Sequence, residues 1–128
     1  AEVAPQVRAE PSIELVTASS ADPGVADIIK TMRRAAPGNV FFIIDSDHSK
    51  NHVMAELELL RSVLIPGDYV VVEDGNINGN PVLPGWGEGP LEALQEYFEK
   101  YPGDYSRDPE REEKFGFTFA PSGFLLKN

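Results

Sequence analysis

Val40-Phe41-Phe42-Ile43-Ile44-Asp45-Ser46-Asp47-His48-Ser49-Lys50 is the stretch that decides how this chain folds. Five apolar residues, Val40 to Ile44, run without alternation and then break into acids, hydroxyls, a histidine and a lysine. A strand open to water on one face alternates polar with apolar, so an unbroken run predicts a strand covered on both faces, as in a parallel sheet. Downstream, Val53, Leu57, Leu60 and Leu64 form one stripe at helical spacing, with Glu56, Glu58 and Arg61 elsewhere, and Pro66-Gly67 ends the helix. Tyr69 to Val72 is again continuously apolar and stops at Glu73-Asp74-Gly75. Strand, helix, strand in this order reads as a parallel crossover and places the chain in the α/β class.

Working outward, Asp22-Pro23 supplies a helix cap followed by proline at the first helical position, and Val25, Ile28, Ile29 and Met32 mark the buried face. Before it, Ile13 to Val16 is a short apolar run that reads as a strand, ending in the polar Thr17-Ala18-Ser19-Ser20. Residues 1–12 carry no period and are expected to be a tail or a truncated start, with the ordered domain spanning 13–128. On the C-terminal side, the glycine- and proline-rich stretch from Gly75 to Gly89 contains Trp86 and reads as a functional loop. A helix from Pro90 turns Leu91, Leu94, Phe98 and Tyr101 inward, and residues 102 to 113 read as a solvated connection. Phe115, Phe117 and Phe119 alternate, Pro121-Ser122-Gly123 turns, and Phe124 to Leu126 returns, so an antiparallel hairpin with a phenylalanine core face is expected at the end.

A length of 128 residues suits one core. The formal charge of -10 offers phosphate backbones and anionic lipid little to bind, which disfavours nucleic-acid and membrane-surface roles. Without cysteine, thiolate nucleophiles and Cys-ligated metals are excluded. No apolar run approaches the ~20 residues of a membrane span, so a soluble and cytoplasmic protein is expected.

In open parallel sheets ligands gather beyond the carboxyl ends of the strands. Ser19 and Ser20, then Asp45, Asp47, His48 and Lys50, then Glu73, Asp74, Asn76 and Asn78 all fall there. Asp47, Glu73 and Asp74 at adjacent strand ends would raise one another's pKa unless a cation intervened, and oxygen ligands favour magnesium or calcium. Asp45 has a plain alternative role as a helix cap.

The run Asp45-Ser46-Asp47-His48-Ser49-Lys50, with Val71-Val72-Glu73-Asp74-Gly75-Asn76-Ile77-Asn78-Gly79, resembles the cephalosporin hydroxylase and rhamnosyl O-methyltransferase family. The likeness extends from about Ile13 to the C-terminus, through the Pro81 to Gly89 loop and the Ala120-Pro121-Ser122-Gly123 turn. It implies a Rossmann-like class I methyltransferase using S-adenosylmethionine and Mg2+, with a metal site similar to that of catechol O-methyltransferase. By motif, Asp47, Glu73 and Asp74 would be the metal ligands and Lys50 the general base. Ser19, Ser20 and His48 would touch the cofactor, although Ala18 stands where the family pattern has glycine. The acceptor would be a hydroxyl of a sugar or another small molecule.

The family's glycine-rich cofactor turn and ribose-binding acid belong to strands that would precede Ile13. The resemblance therefore implies a mostly parallel sheet with a C-terminal antiparallel hairpin, lacking its first two strands: the C-terminal half of the domain. Such a half is expected to be inactive alone and to expose a parallel edge, favouring a homo-oligomer or a complementing N-terminal chain. Two rivals stand beside it. Strand-Asp45-x-Asp47 fits the start of a haloacid dehalogenase-like Mg-dependent phosphatase, and a non-catalytic fragment binding metal or a partner fits the acids alone.

Overall fold

The computed structural model describes residues 3–128. After the single turn α1 (Pro5–Arg8) come α2 (Pro23–Ala35), β1 (Phe41–Ile44), α3 (Lys50–Arg61), β2 (Tyr69–Val72), α4 (Pro90–Lys100), β3 (Tyr105–Arg107), α5 (Pro109–Glu113) and β4 (Phe124–Lys127). Proline at the first turn of α2 and α4 and the Asp22 carboxylate, which accepts from the Gly24 N–H, start these helices as the sequence predicts. The architecture is mixed α/β around one four-stranded sheet in the order β1-β2-β4-β3.

β1 and β2 pair in parallel, Phe41 with Tyr69 through Ile44 with Val72. This is the one parallel pairing among the described residues, since β4 runs antiparallel to both β2 and β3, so the expected mostly parallel sheet is corrected to a mixed one. The partner of β4 is also a different one: Tyr105–Arg107, from the segment expected to be a solvated connection. Since β4 is hydrogen-bonded on both sides, it has no edge left to pair with Phe115 to Phe119, which stay irregular. Phe115 is 83% exposed, and Phe117 and Phe119 face solvent with their rings edge to face at 5.3 Å. The expected phenylalanine core face is therefore corrected to an exposed aromatic pair. Ile13 to Val16 likewise forms no strand and lies exposed.

Period 2 along the strands sorts the sheet into two faces. Phe42, Ile44, Val70, Val72 and Leu125 point towards α3 and α4 and build the core with Val53, Leu57, Leu60, Leu94 and Tyr97. α2 lies on this side, Ala26 and Ile29 joining the core, while Met32 at the end of its stripe stays exposed. Glu56, which lies outside the apolar stripe of α3, is only 4% exposed.

Asp68, just before β2, is the polar anchor of this packing. Its carboxylate is fully buried and accepts from the main-chain N–H of Ile65 at 2.8 Å and of Val40 at 2.9 Å, and it is ion-paired with Arg33 of α2. One side chain thus joins α2, the entry to β1 and the entry to β2. Burial alone would raise its pKa, but the Ile65 N–H, the Arg33 guanidinium and the Val40 N–H together hold it below the ordinary 3.8. A depressed carboxylate stabilises the fold fully above its unfolded pKa and loses that contribution as pH falls through the folded value. Asp68→Asn should cost about 3–5 kcal/mol, because it strands Arg33 in a buried site. Urea melts of the two proteins from pH 7 downwards should show the difference shrinking only in strong acid; a difference that vanishes near pH 6 would contradict this anchor.

Candidate active site

The parallel register places the ends of β1 and β2 side by side: Ile44 faces Val72, and the Glu73 N–H donates to the Ile44 carbonyl at 2.9 Å. Asp45 is therefore next to Glu73-Asp74. His48 folds back from the loop so that its Nε2 lies 2.9 Å from Asp74 Oδ2 and 3.4 Å from Asp45 Oδ1. Ligand atoms of Asp45, His48 and Asp74 all lie within 4.8 Å of one another. Asp74 holds its position through a left-handed backbone, φ 55°, which a short polar side chain tolerates better than most.

Glu73, half-buried beside them, has its pKa raised first by burial and then by the negative charges of Asp45 and Asp74. Among the described residues, the basic group paired with Asp45 and Asp74 is His48. The chemistry of the donor set, carboxylate oxygens converging with one imidazole, fits a divalent cation that would relieve this repulsion.

Asp47 takes no part in this group. Its Oδ1 accepts the Ser49 N–H at 2.8 Å at the start of α3; the Ser49 hydroxyl first, then this N–H, with help from His52 and His48, lowers its pKa against a small opposing effect of burial. The sequence expectation paired Asp47 with Glu73 and Asp74 and treated Asp45 as a possible cap. In the structure Asp47 is turned to the Ser49 N–H at the start of α3 and Asp45 faces His48 and Asp74. The signal was present in the position of Asp45, the residue directly after the strand.

Lys50 opens α3 and is held between two acids, its Nζ 3.1 Å from both Glu88 Oε1 and Glu96 Oε2. Bonds to Glu88 and then Glu96 raise its pKa, so it keeps its proton firmly. Its main-chain N–H also donates to the Glu88 carbonyl at 3.1 Å, which joins the loop before α4 to the start of α3. That loop is braced by Asn78, whose Nδ2 donates to Glu92 Oε1 at 2.9 Å and whose Oδ1 accepts the Gly87 N–H at 3.1 Å. Trp86 at its tip is exposed.

Ser19 is exposed, while Ser20 Oγ lies 3.1 Å from His52 Nε2. Ser20 lines an apolar cavity of about 240 Å³ with Ile28, Ile29, Phe42, Ile44 and the buried Glu56. Sites that enclose a small molecule usually run to about 300–1,000 Å³, so this cavity fits only part of a nucleoside cofactor. His48 is engaged with Asp45 and Asp74 and does not line this cavity.

Gly75 fixes how closely the acids approach the C-terminal turn: a β-carbon there would meet Pro121 O at 3.1 Å and Pro121 Cδ at 3.2 Å. Gly75→Ala should cost about 1–3 kcal/mol through overpacking. A melting temperature equal to that of the parent would show that the turn is free to retreat.

The sequence model of the rhamnosyl O-methyltransferase/CmcI family matches residues 2–128. Over 124 residues the chain is 55% identical to the rhamnosyl O-methyltransferases of Mycobacterium tuberculosis H37Rv and of Mycobacterium bovis BCG Pasteur, covering 97% of this chain and 51% of each relative. The Mycobacterium leprae protein of the same name is 49% identical over 118 residues, 92% of this chain and 52% of its own. The chain thus spans about half the length of these curated relatives. No solved structure matches it.

Proposed function

The chain belongs to the rhamnosyl O-methyltransferase/CmcI family, and from that premise we propose that it forms the metal-binding half of an S-adenosylmethionine-dependent O-methyltransferase acting on a sugar hydroxyl. The observation that carries the reading is the meeting of Asp45, His48 and Asp74 beyond the carboxyl ends of two parallel strands, where this class of sheet binds its ligands. In this reading Asp45 and Asp74, with Glu73 beside them, hold Mg2+ in place of the Asp47 set suggested by the motif. A rhamnosyl hydroxyl is the favoured acceptor, since the relatives carry that name. Family membership over nearly the whole chain takes away the ground for the phosphatase reading.

When bound, Mg2+ supplies a positive charge that orients and acidifies the acceptor hydroxyl, and S-adenosylmethionine supplies the methyl group. The chain's own residues set the geometry. His48 fixes the rotamers of Asp45 and Asp74, and Gly75 lets the acids pack against the 120–123 turn. Lys50 is the proposed proton acceptor. Clamped by Glu88 and Glu96, it accepts only after losing its own proton, so its contribution grows towards alkaline pH. On the cofactor side, Ser20 bounds an incomplete pocket, and the glycine-rich turn and ribose-binding acid of the family lie outside the features described here. Methyl transfer is accordingly assigned to the complete domain and not to these residues alone.

Two measurements test this. Magnesium should raise the melting temperature of the chain by ligand linkage, and the paired change Asp45→Asn with Asp74→Asn should abolish the rise while Asp47→Asn keeps it. An undiminished rise in the paired variant removes the site. In the complete enzyme, Lys50→Met should lower turnover, and Lys50→Arg should fail to restore it, because an arginine stays protonated. Full rescue by arginine would assign Lys50 to clamping Glu88 and Glu96 instead.

A further inference from the structure

We infer that Glu56 is a positioning residue that ties the loop carrying Asp45 to the loop carrying Ser20, so that a cation held by Asp45, His48 and Asp74 and an ordered Ser20 favour one another. This rests on the cation reading of those three residues and adds what steadies them and what they are linked to.

Four side chains from three segments form one polar chain next to the acids. Ser46, the residue after Asp45, donates its hydroxyl to Glu56 Oε1 at 2.6 Å. Glu56 Oε1 lies 3.7 Å from the Nε2 of His52, one helical turn back along α3, and His52 Nε2 lies 3.1 Å from Ser20 Oγ. The loop before α2 and the loop after β1 are thereby joined through α3, across 32 residues at one contact and 10 at the other.

As packing, Glu56 is a poor choice. It is buried and borders an apolar cavity together with Phe42, Ile44 and Leu60. Among the described residues the basic group near its carboxyl is His52, and Oε2 has no hydrogen-bond partner. Burying a carboxyl with so few partners costs more than it returns, and an apolar side chain of similar size fits such a place without loss. What the carboxyl adds is direction: it fixes the Ser46 hydroxyl, and with it the backbone next to Asp45.

Asp45 needs that support. Its side chain is 60% exposed and its contact with His48 is a long 3.4 Å, whereas Asp74 is held 2.9 Å from the same imidazole. The least restrained acid of the group therefore adjoins the residue that Glu56 holds. A cation that fixes Asp45 also fixes Ser46, which keeps Glu56 Oε1 beside His52 and Ser20. When Ser46 lets go, the carboxyl has a cavity of about 240 Å³ at its side and an Oε2 already without a partner. These are the two arrangements that coupling between sites requires, and by linkage the coupling runs equally in both directions.

The test compares the parent chain with Glu56→Leu and Ser46→Ala. Mn2+ affinity is read from the electron spin resonance signal of the free ion, and the amide signals of Ser20 and His52 are followed as Mg2+ is added. Both variants should bind Mn2+ about 3- to 10-fold more weakly, the scale of one ordinary hydrogen bond. Glu56→Leu should keep a melting temperature at or above that of the parent, and Ser46→Thr, which restores a hydroxyl, should restore affinity. Mg2+ should shift the Ser20 and His52 signals in the parent and leave them in place in Glu56→Leu. If Glu56→Leu does not fold, Ser46→Ala, at an exposed position, carries the same comparison. Unchanged affinity in the variants, or a Ser20 response that survives in them, overturns the coupling and leaves the cation site standing. Affinity that falls only in step with the melting temperature assigns Glu56 to plain structure and overturns the proposal as well. Mn2+ that leaves the Asp45, His48 and Asp74 signals of the parent sharp removes the cation site, and the coupling with it.

Discussion

The hydrogen bond from the Glu73 N–H to the Ile44 carbonyl closes the parallel ladder between β1 and β2, and the site depends on that register. With Ile44 opposite Val72, the residues that follow each strand emerge together, so that Asp45 meets Glu73-Asp74. A slip of one residue would turn Val72 and Ile44 out of the core and swing the acids apart. The register is held at both ends. Asp68 fixes the entries to β1 and β2, and at the exits His48 bridges Asp45 and Asp74. Stability and chemistry are thus two ends of one strand pair.

The parts of the fold that the sequence made legible are those governed by local pattern. Unbroken apolar runs gave β1 and β2, the 3.6 period gave α2, α3 and α4, and Asp22-Pro23 and Pro90 gave two helix starts. What stayed illegible depended on partners distant in the chain. Phe115, Phe117 and Phe119 alternate like a strand, but a strand needs a free edge and β4 has none. Tyr105 to Arg107 sits among charges and glycines yet pairs with β4, which nothing in its own three residues announces. Glu56 shows the same limit on a helix. It lies at the border of the apolar stripe, and its burial, with the Ser46 hydroxyl donating to it at 2.6 Å, is not announced by its charge.

Within the candidate site, residue types were read more securely than residue roles. The motif indicated that acids, His48 and Lys50 would gather at two strand ends; Asp45, His48 and Asp74 lie together there, while Lys50 sits between Glu88 and Glu96. It did not tell Asp45 from Asp47, because both lie in the same loop and only the direction of the carboxylate separates them: Asp47 turns to the Ser49 N–H, Asp45 to His48. Lys50 reads as a base by its position, while its setting between Glu88 and Glu96 makes it equally a tie between α3 and α4.

The central claim is that the acids at the ends of β1 and β2 form one cation site. Paramagnetic broadening by Mn2+, followed residue by residue in the amide spectrum of the 128-residue chain, addresses it most directly. The account predicts that the signals of Asp45, His48 and Asp74 disappear first, at a manganese level that leaves the acidic segment around α5 sharp. Broadening that begins at Glu110, Glu112 and Glu113, or that spreads evenly over the acidic surface, would contradict it.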